Sequence, residues 1–235
     1  MRNLPRRLAF WLLLPLSAVQ GLWVRRTALR LPEARGARTG TVGQGEELRL
    51  LALGDSIIAG VGTGSVEKSM PVQFAQALAS SRKCSVQWQV IGANGAEISD
   101  LRHSIRQLED QQHVDVILIS IGVNDVTGLS STRRWRMQVN RLVAELSEKW
   151  PQARVIFVGL PPMGKFPLPP QPLRFTLGQR ASTLDSIAAD IILRQELMLH
   201  IPTEINPGEQ EFCEDGFHPS AESCAYWASV LAQRF

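Results

Sequence analysis

Residues 114–122 read VDVILISIG, an almost unbroken apolar and β-branched run. A strand of this kind is buried on both faces, the mark of a central strand in a parallel sheet. Parallel strands cannot be joined by tight hairpins, so helical crossovers must lie between them. The flanking sequence supplies both. LRLLAL (48–53), VQWQVI (86–91) and ARVIFVGL (153–160) have strand length and composition, and HIPTEI (from residue 200) is a weaker fifth candidate. Between them, Phe74 and Leu78 follow Pro71 at helical spacing. Ile98, Leu101, Ile105 and Leu108 do the same, as do Trp135, Val139, Leu142 and Leu146. A long helix is expected over about 177–199 and a last one from near Pro219. The pattern predicts an α/β chain with about five parallel strands and helices on both faces. Residues 36–45 are Gly-rich and read as a linker, and a Pro-rich stretch fills 161–172.

In such sheets functional groups collect at the carboxyl ends of the strands. Small polar residues and glycines stand there three times: Gly54-Asp55-Ser56, Asn94-Gly95 and Gly122-Val123-Asn124-Asp125. Near the C-terminus, Asp215 precedes His218 by three residues, close enough for the carboxylate to accept a hydrogen bond from the imidazole. Each feature alone has an ordinary reading as turn or cap. Together they offer a nucleophile, a base, a group that orients the base, and oxyanion donors. A helix after Ser56 would point its N-terminus at developing negative charge.

Four blocks, LGDSIIAGVG, GANGAEISDL, SIGVNDVT and DGFHPS, carry a resemblance to the SGNH (GDSL-type) hydrolases over residues 48 to 235. The resemblance implies a three-layer α/β/α sandwich similar to flavodoxin. It also implies ester or thioester hydrolysis through an acyl-enzyme, without metal or cofactor. By it Ser56 is the nucleophile, His218 the base and Asp215 its partner. The Ser56 and Gly95 backbone N–H groups and the Asn124 side chain would form the oxyanion hole. Gly92 competes with Gly95, but the Gly-Ala-x-x-x-Asp-Leu run matches from Gly95. Many relatives have Thr where this chain has Glu97. No Gly-x-Ser-x-Gly elbow surrounds Ser56, which separates the chain from the α/β-hydrolases. Asp55 is read as structural, closing the turn. Relatives act on lysophospholipids, aryl esters, thioesters and acetylated sugars, and some transfer acyl groups. The two other classes open to this sequence are a membrane acyltransferase and a catalytically inactive flavodoxin-like binding module.

Charge divides the chain into two segments, 1–40 and 46–235. Residues 1–38 hold eight Arg against one acid, Glu33, whereas the 17 basic and 21 acidic residues beyond them leave that part at −4. The hydrolase-like segment therefore offers no basic face for nucleic acid. In the N-terminal segment an apolar run, 8–24, lies between Arg2, Arg6 and Arg7 and a second Arg cluster. Membrane contact through residues 8–24, as an anchor or an interfacial helix, is the leading expectation. An exported soluble protein after signal cleavage and a helix packed on the domain are the alternatives. The partner expected is a small-molecule or lipid-like ester. Cys84, Cys213 and Cys224 are read as lone thiols, although Cys213 and Cys224 could pair if exported.

Overall fold

The computed structural model describes residues 4–108, 113–203 and 211–235, with side chains from residue 9 onward. Helix α1 (Leu4–Thr27) comes first, then strands β1 (Thr39–Gly43) and β2 (Glu47–Gly54). Next come α2 (Met70–Arg82), β3 (Ser85–Gly92), α3 (Ile98–Gln107) and β4 (Val116–Ser120). They are followed by α4 (Val123–Thr127), α5 (Thr132–Lys149), β5 (Arg154–Val158), α6 (Leu173–Ile192), β6 (Met198–Ile201) and α7 (Ala221–Arg234). The sheet order is β1-β3-β2-β4-β5-β6. All neighbours run parallel except β1, which pairs antiparallel with β3. Counted over the five parallel strands, the order is 2-1-3-4-5, the doubly wound arrangement of flavodoxin.

Strand periodicity divides the core in two. Leu51, Leu53, Ile117, Ile119 and Phe157 face one side with residues of α3, α5 and α6. Leu50, Ala52, Val116, Leu118 and Ile156 face the other with residues of α2 and α7. The expected three-layer sandwich is therefore present. Local chemistry sets the helix ends. Pro71 sits in the first turn of α2, where a missing N–H costs nothing. The Ser131 and Ser220 hydroxyls accept from Arg134 N and Ser223 N to cap α5 and α7. A bidentate pair from Arg102 to Glu145 (2.9 and 2.6 Å) ties α3 to α5.

Three expectations change. The 36–45 linker contains β1, whose Gly40 lies so close to Trp88 that a Cβ would come within 2.5 Å of the ring. Such a strand, poor in side chains to pack, leaves little sequence signal. The helix expected over 177–199 starts and ends earlier, because Met198–Ile201 pair with Val155–Val158 as an edge strand. A short apolar stretch continuing a helical pattern satisfies both spacings, and sheet pairing decides. Pro202 ends that strand, and residues 204 and 205 of HIPTEI lie outside the described residues. Finally, residues of the N-terminal segment pack on the α/β body. Ala34 N donates to Ala59 O, Gly62 N to Pro32 O and Arg35 N to Gly64 O, lacing residues 32–35 onto the loop after β2.

Candidate active site

Register explains how the three loop blocks meet. Gly54, the last residue of β2, lies level with Gly92 of β3 on one side and Ser120 of β4 on the other. The next residues of each strand therefore leave the sheet at the same height. Ser56, Gly95 and Asn124 stand two, three and four residues past those aligned positions. The order reverses around β2 and β4, and such switch points open a crevice at the strand ends.

Gly54 makes this convergence possible, since a Cβ there would sit 1.9 Å from Ser120 O. Asp55 N donates to that same carbonyl (3.0 Å) and Ala93 N to Gly54 O (3.2 Å). Residues 56–62 form turns, and α2 begins only at Met70, so no helix N-terminus follows Ser56 directly as the sequence led one to expect. Gly92 packs against the Ile58–Ala59 backbone, where a Cβ would meet Ala59 N at 2.5 Å. Gly95 has φ +84° and open space around it. Only Gly95 of the two leaves its surroundings free for a ligand.

The second and third blocks are clasped together. Asn124 Nδ2 donates to Ala96 O (2.9 Å), and Asp125 Oδ2 accepts from Ile98 N (3.0 Å) at the start of α3. Ser130 Oγ donates to the other Asp125 oxygen (3.1 Å). Burial, with the neighbouring Glu97 charge, lifts the Asp125 carboxyl to about 6 against the pull of these hydrogen bonds. Asp125 is a positioning residue that the sequence suggested only as a cap after a strand. Glu97, the departure from the common Thr, forms a capping box with Asp100 and pairs with Arg134 (3.4 Å).

The C-terminal block is a tight turn closed by its own aspartate. Asp215 Oδ1 accepts from Phe217 N (2.9 Å) and His218 N (3.0 Å), and Gly216 takes φ +62°. Asp215 Oδ2 accepts from His218 Nδ1 (2.6 Å), which leaves Nε2 as the free ring nitrogen. Burial raises the Asp215 carboxyl, but the hydrogen bonds from His218 and Phe217 outweigh it and hold the group below the usual carboxylate range. Ser56 and His218 line one narrow cleft of about 10 Å³, room for about one water. No hydrogen bond joins Ser56 Oγ to His218 among the described residues. The other walls include Phe166, Phe212, Phe217 and Trp227. Phe166 meets Phe212 and Phe217 edge-on at 5.1 and 5.2 Å. Phe166 lies in the Pro-rich stretch, Phe217 in the C-terminal block, Phe212 just before that block and Trp227 in α7, and the sequence singled out none of the four. Leu168 N donates to Gly216 O (3.1 Å), tying that stretch to the histidine turn. A larger cavity of about 60 Å³, by Val158, Thr203 and Tyr226, is lined by no histidine, carboxylate or glycine loop among the described residues.

Asp55 is fully buried beside this cleft. Oδ1 accepts from Ile57 N (3.2 Å), closing the turn, while Oδ2 has no partner among the described residues. Burial lifts the carboxyl to about 7, and Asp125 pushes the same way, against Ile57 N and His218. A folded-state pKa above the unfolded 3.8 means that the folded chain holds this proton more tightly. The stability that Asp55 itself contributes is then fully present below about pH 4 and is lost as pH rises towards about 7. Asp55→Asn removes this dependence, so its stability advantage over the wild type should widen between pH 5 and pH 8 in urea titrations. A gap independent of pH would show that Asp55 does not carry this proton.

Cys84, Cys213 and Cys224 are free thiols, and burial pushes Cys213 to about 11 and Cys224 to about 12. Among the described residues no group of three or more His, Cys, Asp or Glu could hold a metal ion.

Fold and site thus define a doubly wound α/β/α protein with its polar groups at the switch point. The GDSL-like Lipase/Acylhydrolase family profile matches residues 52–225, and the chain belongs to that family of carboxylic ester hydrolases. No curated protein sequence matches the chain significantly. Among solved structures, a family two carbohydrate esterase from Clostridium thermocellum is similar at TM-score 0.63 and 15% identity. That match covers 80% of this chain and 63% of the other, so this chain spans less than two thirds of that protein. A lipase/acylhydrolase from Enterococcus faecalis is similar at TM-score 0.62 and 18% identity, over 80% of this chain and 94% of that one. An acetylxylan esterase from Geobacillus stearothermophilus follows at TM-score 0.56 and 18% identity, covering 82% and 94%. At these identities the likeness is one of fold.

Proposed function

We propose that this chain cleaves carboxylic esters through an acyl-enzyme on Ser56. The observation that carries the reading is the 2.6 Å His218–Asp215 bond in a turn whose histidine lines the same cleft as Ser56. Asp215 fixes the tautomer with the proton on Nδ1, which leaves Nε2 to take the proton from Ser56 Oγ. The serine oxygen then bonds to the ester carbonyl carbon, and the former carbonyl oxygen becomes an anion. That anion is received by Ser56 N, Gly95 N and the second N–H of Asn124 Nδ2, the first being spent on Ala96 O. Collapse breaks the bond to the alcohol, which leaves with the proton from Nε2. Water then attacks the acyl-serine with Nε2 again accepting a proton, the bond to Ser56 Oγ breaks as Nε2 returns that proton to it, and the acid departs. Ester and water thus give acid and alcohol, with the enzyme restored.

The aromatic wall of Phe166, Phe212, Phe217 and Trp227 supports an apolar acyl group, from an oxygen ester or a thioester, as the part bound beside Ser56. Turnover of p-nitrophenyl esters of increasing chain length tests the activity and its acyl preference, and an added acceptor alcohol separates hydrolysis from acyl transfer. Asn124→Ala should lower kcat by about 10² to 10³ with KM little changed, the range for loss of one oxyanion donor. A raised KM with kcat intact would place Asn124 in ground-state binding instead.

A further inference from the structure

Helix α1 is built inside out. Its polar residues within the apolar run, Ser17 and Gln20, face the domain: Ser17 is buried, and Gln20 Nε2 donates to Gln171 O (2.8 Å) while its Oε1 accepts from Leu173 N (3.0 Å). Val24 packs on the core from the same side. The outward face carries Leu12, Leu16, Val19 and Trp23 at helical spacing, with Trp11 and Leu22 beside them, each 53–80% exposed. A soluble surface helix shows the opposite arrangement. From Trp11 to Trp23 the stripe runs about 18 Å at 1.5 Å per residue, well short of the about 30 Å hydrocarbon core. No helix among the described residues is long and apolar enough to cross a membrane. Exposed Arg25, Arg26 and Arg30 follow the stripe, whereas the body beyond residue 38 carries −4. Tryptophans at both ends and arginines beyond are the anchors of a helix lying in an anionic lipid interface.

We propose that the outer face of α1 docks this protein on anionic membranes as an interfacial helix. The placement bears on the site, although it does not depend on the catalytic reading. Gln20 holds Gln171 and Leu173, where the Pro-rich stretch that supplies Pro161 and Phe166 to the cleft enters α6. The lipid-facing helix is therefore fixed to the segment that borders the proposed acyl site.

The test is co-sedimentation of the full chain with vesicles of phosphatidylcholine and phosphatidylglycerol, against phosphatidylcholine alone. The wild type should bind the anionic vesicles more strongly, and high salt should weaken that binding without abolishing it. L16Q with V19Q should reduce binding at least tenfold while its melting temperature and its turnover of a soluble short-chain ester stay unchanged. Ser56→Ala should bind as the wild type does, so failure here and failure of the catalytic reading are separable. Equal binding of the doubly substituted and wild-type chains would overturn the proposal. So would a wild-type dimer that ignores vesicles and becomes monomeric with L16Q/V19Q, since a second copy would then be what covers the face.

Discussion

Ser56→Ala is expected to lower ester turnover by about 10⁶, the scale set by removing a serine nucleophile from an assembled site. The loss should fall on kcat, because the aromatic walls proposed to bind substrate remain. Thermal stability should barely move, since the Ser56 side chain makes no hydrogen bond among the described residues. That separation of activity from stability is the informative part. Asp55 and Asn124, the neighbours that matter for the fold, hold their own bonds to Ile57 N and Ala96 O without using the Ser56 hydroxyl. Steady-state kinetics with calorimetry on the same preparation reads both quantities. More than about a tenth of wild-type turnover in pure Ser56→Ala protein would mean that another group attacks the ester.

The second large effect concerns the residue that lets the strands converge. Gly54→Ala would place a Cβ 1.9 Å from Ser120 O and 2.8 Å from Ile58 Cγ1. The first atom is backbone in the adjacent strand, fixed by the β2–β4 ladder, so relief requires the central strands to part. We expect a loss of about 3 kcal/mol or more, above the common range for overpacking and a large share of a typical domain's 5–15 kcal/mol. Gly64→Ala is the control: Gly64 has φ +79° but nothing within 4 Å, so only the left-handed strain of about 1–2 kcal/mol applies. Denaturant midpoints should therefore fall further for Gly54→Ala. Equal shifts would show that close packing at Gly54 is not what fixes the residue.

These two positions also show what was legible in the sequence. Gly54 and Ser56 stand directly after an apolar run too regular to be anything but a strand, and the same logic found Gly95 and Asn124. The His218–Asp215 pairing was legible because three residues of separation suffice for a self-closing turn. Long-range geometry was not. Asp125 reaches Ile98, 27 residues away, and nothing local marks that partner. β1 went unseen because Thr39–Gly43 has few side chains to bury and gains its place only by pairing with β3. Residues 32–35 read as part of the N-terminal segment, yet their backbone groups are spent on the loop that follows Ser56. In α1 the apolar run was plain, but Ser17 and Gln20 alone do not say which face meets the domain. The burial of Ser17 and the bonds of Gln20 to Gln171 O and Leu173 N do.

The central claim is that His218, oriented by Asp215, activates Ser56. A fluorophosphonate probe with peptide mapping tests it most directly, because phosphonylation consumes the activated serine and reports its position. The account predicts a single labelled residue, Ser56, with labelling slowed by orders of magnitude in His218→Ala and to a lesser degree in Asp215→Asn. Labelling at another serine, or a Ser56 rate unchanged when His218 is replaced, would contradict it.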